Sequence, residues 1–176
     1  PQHLWTCRPN YDAHEIAAWK AWLRKHYPAA SDEECAARLQ SVYGEPADNA
    51  MSLPALEDFE DANVRGVKNP VKVVDYRLFA QESFSRWITE MRSAIRSNTN
   101  PHQLITVGQD EGGTADRPAP QFFADAVDFT CVHNWWFNDD LVWDNVMTKV
   151  PGKLNLIEET GVMLYEKMDG TPWRTE

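Results

Sequence analysis

The chain has 176 residues, of which 43% are hydrophobic and 25% are charged, which is enough for a globular domain with one core. The formal net charge of −10 disfavours binding to nucleic acid or to an anionic membrane surface, because no basic stripe is present to neutralise phosphates. No apolar run approaches the roughly 20 residues that span a bilayer, and residues 1–9 lack the pattern of a signal peptide. We therefore expect a soluble chain with a neutral substrate, in a compartment that the sequence leaves open.

The three cysteines, Cys7, Cys35 and Cys131, are widely spaced and form no C-x-x-C or Cys/His ligand pattern. This spacing predicts free thiols and no metal site, although one disulfide stays possible at this stage. No cofactor is indicated. Because an exported enzyme tolerates either state, cysteine usage does not assign a compartment.

Three helices are predicted within the first 97 residues. Ile16, Trp19, Leu23 and Tyr27 recur at three- and four-residue spacing, which predicts an amphipathic helix that ends before Pro28. The capping-box pattern of residues 31–34 predicts a second helix, which Gly44 ends. Residues 45–70 carry prolines and acidic residues without a sustained period and indicate an irregular excursion. Residues 72–97 contain neither glycine nor proline and predict one long helix.

The last part of the chain changes character. Residues 103–108, 128–133 and 154–159 are short β-branched runs that predict buried strands, and residues 139–150 predict a helix between the second and third. Each run is followed by polar residues, as in parallel α/β folds that carry their sites at the carboxyl ends of the strands. Because side chains alternate along a strand, Glu158 and Glu159 are expected to face opposite ways, so at most one enters a site.

Four segments carry a family resemblance: W-I-T-E-M-R-S-A-I-R from Trp87, L-I-T-V-G from Leu104, V-D-F-T-C-V-H-N-W from Val127 and L-I-E-E-T-G from Leu156. Their order and spacing resemble the clan of retaining (β/α)8-barrel glycoside hydrolases that contains cellulases, β-mannanases and β-galactosidases. The resemblance implies that the last three segments are the fifth, sixth and seventh strands of such a barrel.

The resemblance also implies roles for single residues. Glu159 corresponds to the clan's nucleophile, and His133 corresponds to a sixth-strand histidine that contacts the substrate or the catalytic centre. Trp135 stands where many relatives carry a tyrosine that hydrogen-bonds the nucleophile. Asn134 is a further candidate for binding substrate. So are Asp110 and Glu111, although loop carboxylates without a role are a simpler interpretation of that pair.

The clan's acid/base lies in an Asn-Glu pair after the fourth strand, and these 176 residues contain no such pair. The resemblance thus implies an α/β fold that is a partial (β/α)8 TIM barrel, with about three parallel strands and their flanking helices. Residues 1–71 are then a helical and loop insertion after the fourth strand, and residues 72–176 carry strands five to seven. The acid/base would lie upstream, and this chain alone would be inactive. A partial barrel exposes sheet edges, so the remainder of the barrel or another copy of the chain is an expected partner.

Two functional hypotheses follow. In the first, the chain is a segment of a retaining glycoside hydrolase that cleaves β-linked sugars of an oligosaccharide or polysaccharide by double displacement. In the second, it is a non-catalytic carbohydrate-binding or oligomeric barrel-fragment module, whose eight tryptophans bind sugar or fill an interface. The sequence indicates neither the sugar nor the linkage.

Overall fold

A computed structural model describes residues 8–60, 70–108, 120–134 and 141–160, together with residues 169 and 171. The chain divides into two compact units. The first consists of Pro1–Phe84 and Asp116–Pro118, and the second of Ser85–Ala115 and Ala119–Glu176. Each unit is described separately below.

The first unit begins with helices, and signals in the local sequence explain where they begin and end. Helix α1 spans Ala13–His26, α2 spans Asp32–Tyr43, α3 spans Ala47–Ala50, and a 3-10 turn spans Leu56–Phe59. The Ser31 hydroxyl accepts a hydrogen bond from the Glu34 backbone N–H at 3.3 Å, and Gly44 ends α2 with a φ of +69°. The predicted end of the first helix before Pro28, the Ser31 cap and the Gly44 stop are confirmed.

The predicted long helix is also confirmed, as α4 over Pro70–Asn98, which continues past the unit boundary between Phe84 and Ser85. Within the first unit it contributes Val73, Tyr76, Phe79 and Ala80 to the hydrophobic core. Trp19 lies at the centre of this core, fully buried and stacked on Trp22 with ring centroids 5.4 Å apart. Burial of aromatic rings in this way is the main source of stability in a helical unit.

Buried polar groups of the first unit are paired with one another. The Asp75 carboxylate accepts hydrogen bonds from the Tyr27 and Tyr43 hydroxyls at 2.6 and 2.7 Å. Burial, followed by the hydrogen bond to Asp75, raises the pKa of Tyr27 to about 12, and the same two causes raise the pKa of Tyr43. The buried Lys72 ammonium donates to Glu45 at 2.7 Å and to the Asn49 carbonyl at 2.9 Å.

The second unit contains the strands. After the short helix α5, Pro120–Phe123, and a 3-10 turn over Ala124–Ala126, strand β1 spans Thr130–Asn134. Helix α6 spans Leu141–Thr148 and packs against β1 and against strand β2, which spans Asn155–Thr160. The two strands pair in parallel, so their carboxyl ends lie at the same edge of the sheet.

The expectation of a partial TIM barrel with three parallel strands is wrong. In the described part of the chain the sheet has two strands, and helix is the dominant structure. The segment predicted as a further strand runs beside β1 but is joined to it mainly through side chains. Thr106 Oγ1 donates to the Phe129 carbonyl at 2.6 Å, and the Cys131 sulfur lies 2.9 Å from the Val107 carbonyl oxygen. The Asp128 N–H also donates to the Ile105 carbonyl at 2.8 Å, but this backbone bond is not continued into a ladder of the strand type.

Among the described residues, no helix combines the length and the apolar character that a membrane span requires. Cys35 and Cys131 are buried free thiols, as predicted for them, and Cys7 lies outside the described residues.

Candidate functional site

The carboxyl ends of β1 and β2 bring one imidazole and two carboxylates together. His133 Nε2 lies 3.3 Å from Glu158 Oε2, and His133 Nδ1 lies 3.6 Å from Glu159 Oε2. The His133 side chain is 15% exposed, whereas the side chains of Glu158 and Glu159 are 39% and 45% exposed. The histidine is therefore held within the protein while both carboxylates reach solvent. We call His133, Glu158, Glu159, Cys131 and Gly108 the strand-end site.

A β-bulge explains how two consecutive glutamates reach the same ring. Val132 pairs with Ile157, but the next residue of β1, His133, pairs with Glu159, so Glu158 has no register partner on β1. An extra residue of this kind interrupts side-chain alternation and redirects the strand. The expectation that Glu158 and Glu159 face opposite ways is therefore wrong, since both carboxylates contact His133.

Two further residues of the site surround the Glu158 carboxylate. The Cys131 sulfur lies 3.1 Å from Glu158 Oε2 and 2.9 Å from the Val107 carbonyl oxygen, and its single hydrogen can be donated to one of them at a time. A Cβ atom added to Gly108 would lie 3.0 Å from His133 Nε2 and 3.1 Å from Glu158 Oε2. The absence of a side chain at residue 108 is thus a steric requirement of this contact.

Asp128 joins the elements beneath the site. Its carboxylate accepts from Arg96 of α4 at 2.7 and 2.9 Å, from Arg92 of the same helix, and from the Ile105 backbone N–H at 2.9 Å. Burial by itself raises the pKa of Asp128, but the hydrogen bonds from Ile105, Arg92 and Arg96 outweigh it and hold the pKa below its usual value. This ion pair fixes residues 105–108 against the start of β1.

The chemistry of the site follows from its donors and acceptors. A neutral imidazole can donate one hydrogen bond, and it therefore satisfies one of the two carboxylates. A protonated imidazole can donate from Nε2 to Glu158 and places its positive charge 3.6 Å from the Glu159 carboxylate. The arrangement leaves the Glu159 carboxylate exposed beside a ring that can carry a positive charge, which suits a nucleophile or a general base.

The predicted site residues fall into three groups. His133 and Glu159 are brought together, as described above. Asn134 is the last residue of β1, and its side chain lies outside the described part of the structure. Trp135, Asp110 and Glu111 lie outside the described residues altogether. Their predicted roles in binding substrate stay predictions.

Sequence reasoning missed the contacts of Glu158, Cys131 and Gly108. The bulge that brings Glu159 as well as Glu158 to His133 depends on strand register, which no pattern in the sequence reports. Gly108 had a signal, because a glycine directly after a buried β-branched run often marks a close approach of another chain segment.

A second concave region lies within the first unit. It is a cavity of about 670 Å³ with a mainly apolar lining that includes Ile16, Met51 and Leu53, and Lys20 and Glu57 also line it. None of the site residues predicted from the sequence lines this cavity. Among the described residues there is no group of three or more His, Cys, Asp or Glu side chains that could hold a metal ion.

Comparison with protein families, with curated proteins and with solved structures found no match. The assignment of function therefore depends on the chemistry of the strand-end site and on the resemblance carried by the sequence.

Proposed function

We propose that this chain contributes the nucleophile of a retaining glycoside hydrolase that cleaves β-linked sugars by double displacement, and that Glu159 is that nucleophile. The observation that carries the proposal is the position of Glu159. Its carboxylate is 45% exposed at the carboxyl end of a parallel strand and lies 3.6 Å from the ring of the less exposed His133. A nucleophile needs this combination of access for the substrate and a fixed orientation.

Double displacement needs two carboxyl groups, about 5–5.5 Å apart, of which one attacks the anomeric carbon and the other protonates the leaving oxygen. Glu159 is assigned the attack, which forms a covalent glycosyl ester and releases the sugar's leaving group. Water then cleaves this ester with the other carboxyl group acting as base. In the clan that the sequence resembles, that group belongs to an Asn-Glu pair, which these 176 residues lack. We assign the acid/base role to a residue upstream of residue 1.

Covalent trapping tests the proposal at the level of one residue. A 2-deoxy-2-fluoro glycoside with a dinitrophenolate leaving group reacts without help from the acid, since this leaving group needs no protonation. The fluorine destabilises the oxocarbenium-like transition states of both steps, so the covalent glycosyl ester accumulates. The natural polypeptide that contains these residues should be incubated with gluco-, galacto- and manno-configured probes, and its peptides analysed by mass spectrometry.

The expected result is one added sugar on the peptide that contains Glu159, and no addition in Glu159→Gln. A matched control is Glu90→Gln, which changes an exposed glutamate of α4 and should leave the labelling intact. Labelling of a different carboxylate would reject the role of Glu159. Binding of sugar with no labelling by any probe would favour the non-catalytic carbohydrate-binding alternative.

A further inference from the structure

Glu158 is the second carboxylate of the strand-end site, and the proposed reaction assigns it no part. It occupies the bulge of β2, and its carboxylate is the partner of His133 Nε2 at 3.3 Å. We propose that Glu158 is a positioning residue, which accepts the Nε2–H of His133 and so keeps Nδ1 directed at Glu159. This inference depends on the proposed role of Glu159 as nucleophile.

The surroundings of Glu158 restrict its carboxylate from several sides. Its Oε2 atom lies 3.3 Å from His133 Nε2 and 3.1 Å from the Cys131 sulfur. The same atom would be 3.1 Å from a Cβ at Gly108, so no side chain intervenes there. A solvated surface carboxylate keeps its rotamers free, whereas this one gives up that freedom for contacts to two polar neighbours.

Each ring nitrogen of His133 faces a different carboxylate. When Nε2 donates its proton to Glu158, the ring is oriented and Nδ1 is the atom that faces Glu159 at 3.6 Å. A second proton on Nδ1 then gives an imidazolium whose charge, 3.6 Å from the Glu159 carboxylate, stabilises its ionised form. An ionised Glu159 is required for attack on the anomeric carbon, and it is also the leaving group when the ester is hydrolysed.

Without Glu158 the ring would lose the contact that selects Nε2 as the donor. The proton could then reside on either nitrogen. Residues that orient a metal-bound histidine typically change activity by about 10- to 100-fold when removed, and we expect an effect of that order here. We expect the loss in kcat rather than in KM, because the ring acts on the nucleophile and not on the bound sugar.

The experiment detects directly which nitrogen of the His133 ring is protonated, and it does not depend on turnover. Proton–nitrogen correlation spectra of the chain labelled on histidine rings report which nitrogen carries the proton, and His133→Gln assigns the His133 signals. Glu158→Ala removes the acceptor, whereas Glu158→Gln retains a carbonyl oxygen that can accept Nε2–H. Glu90→Gln serves as the control. Far-ultraviolet circular dichroism checks that each variant folds.

We expect Nε2 of His133 to be protonated in the natural chain, to lose that preference in Glu158→Ala and to keep most of it in Glu158→Gln. In the natural polypeptide, kcat for an aryl β-glycoside should fall about 10-fold or more in Glu158→Ala, with partial recovery in Glu158→Gln. Unchanged His133 signals in Glu158→Ala would overturn the positioning role, even if Glu159 is labelled by the fluorosugar. Altered His133 signals without labelling of Glu159 by any probe would leave the contact intact and reject the nucleophile.

Discussion

The two units of the chain differ in how they use apolar and polar side chains. In the first unit a continuous core gathers aromatic residues such as Trp19, Trp22 and Tyr76, and buried carboxylates are paired with hydroxyl groups. In the second unit the described sheet has two strands, and Leu156 of β2 and Leu154 just before it are 51% and 78% exposed. The two glutamates of the strand-end site are solvent-exposed in that second unit.

This difference indicates that the first unit is organised for stability, whereas the second unit carries the candidate site. The buried carboxylates of Glu15 and Asp75 in the first unit are paired with tyrosine hydroxyls, which stabilises the unit and leaves these two carboxylates engaged within the protein. A site needs carboxylates that reach solvent in a fixed orientation, and the strand-end site obtains this from strand register and from the Asp128 ion pair rather than from a large core. The following predictions test this division in each unit.

The largest expected effect is in the core of the first unit. Trp19→Ala removes a fully buried ring that stacks on Trp22 and donates from Nε1 to the Ser52 carbonyl at 3.1 Å. We expect the free energy of unfolding of the first unit to fall by about 3–5 kcal/mol, because a large cavity replaces the ring. Peptide-level hydrogen exchange measures this unit separately. Trp87→Ala, at a tryptophan that is 41% exposed, is the control and should cost less.

The Asp75 pair gives the second prediction. Asp75→Asn removes the charge that accepts from Tyr27 and Tyr43, and it should lower the free energy of unfolding by about 3 kcal/mol. The pKa of Tyr27, about 12 in the natural chain, should fall towards its ordinary value. Absorbance of the phenolate as a function of pH measures this shift. Asp48→Asn, at an exposed aspartate, is the matched control.

The same pair predicts how stability depends on alkaline pH. Because the pKa of Tyr27 is higher in the folded than in the unfolded chain, its contribution is fully present below the unfolded value of about 10. It is lost as pH rises through the folded value of about 12. Urea unfolding between these limits should show a decline that Tyr27→Phe reduces, and an unchanged decline in that variant would contradict the assignment.

The third prediction concerns the second unit. Asp128→Asn weakens the contacts to Arg92, Arg96 and the Ile105 backbone, and we expect a loss of about 2 kcal/mol, since these groups are partly solvated. Because the folded pKa of Asp128 is lowered, its contribution is present above the unfolded value of about 3.9 and is lost as pH falls through the folded pKa. The exposed Asp125→Asn provides the control. Equal protection from hydrogen exchange in both variants would contradict this role.

The helices could be predicted from the sequence because their signals are local. The spacing of Ile16, Trp19 and Leu23, the Ser31 cap and the Gly44 stop each depend on residues within a few positions. The second and third predicted strands are present as β1 and β2, with bounds that differ by one or two residues. Strand pairing is not local, however. Residues 104–108 have the composition of a strand. They lie beside β1, but the contacts there are made by the side chains of Thr106, Asp128 and Cys131 and do not form a strand ladder.

The contacts of the strand-end site, like strand pairing, could be predicted only in part from the sequence. The resemblance implies that His133 contacts the substrate or the catalytic centre, and the structure places His133 beside Glu159. The joint contact of Glu158 and Glu159 with His133 was not predicted, because the register shift between Val132 and His133 places Glu159, rather than Glu158, opposite His133. Such a shift depends on the partner strand, and no pattern within residues 154–159 reports it.

The smallest change in stability comes from two glycines of the second unit that are required for different reasons. Gly152 has a φ of +78° with open space around it, so Gly152→Ala should cost about 1 kcal/mol through backbone strain and leave the His133 ring signals unchanged.

Gly108 lacks a positive φ, but its added methyl group would lie 3.0 Å from His133 Nε2. Gly108→Ala should therefore separate His133 from Glu158, change the ring signals, and alter stability by less than about 1 kcal/mol, because the exposed Glu158 side chain can move towards solvent. Urea unfolding and the histidine spectra of both variants measure the two effects. If Gly108→Ala destabilised the unit and left the His133 signals unchanged, the close approach at residue 108 would serve folding, and the separation of stability from chemistry would fail at the site itself.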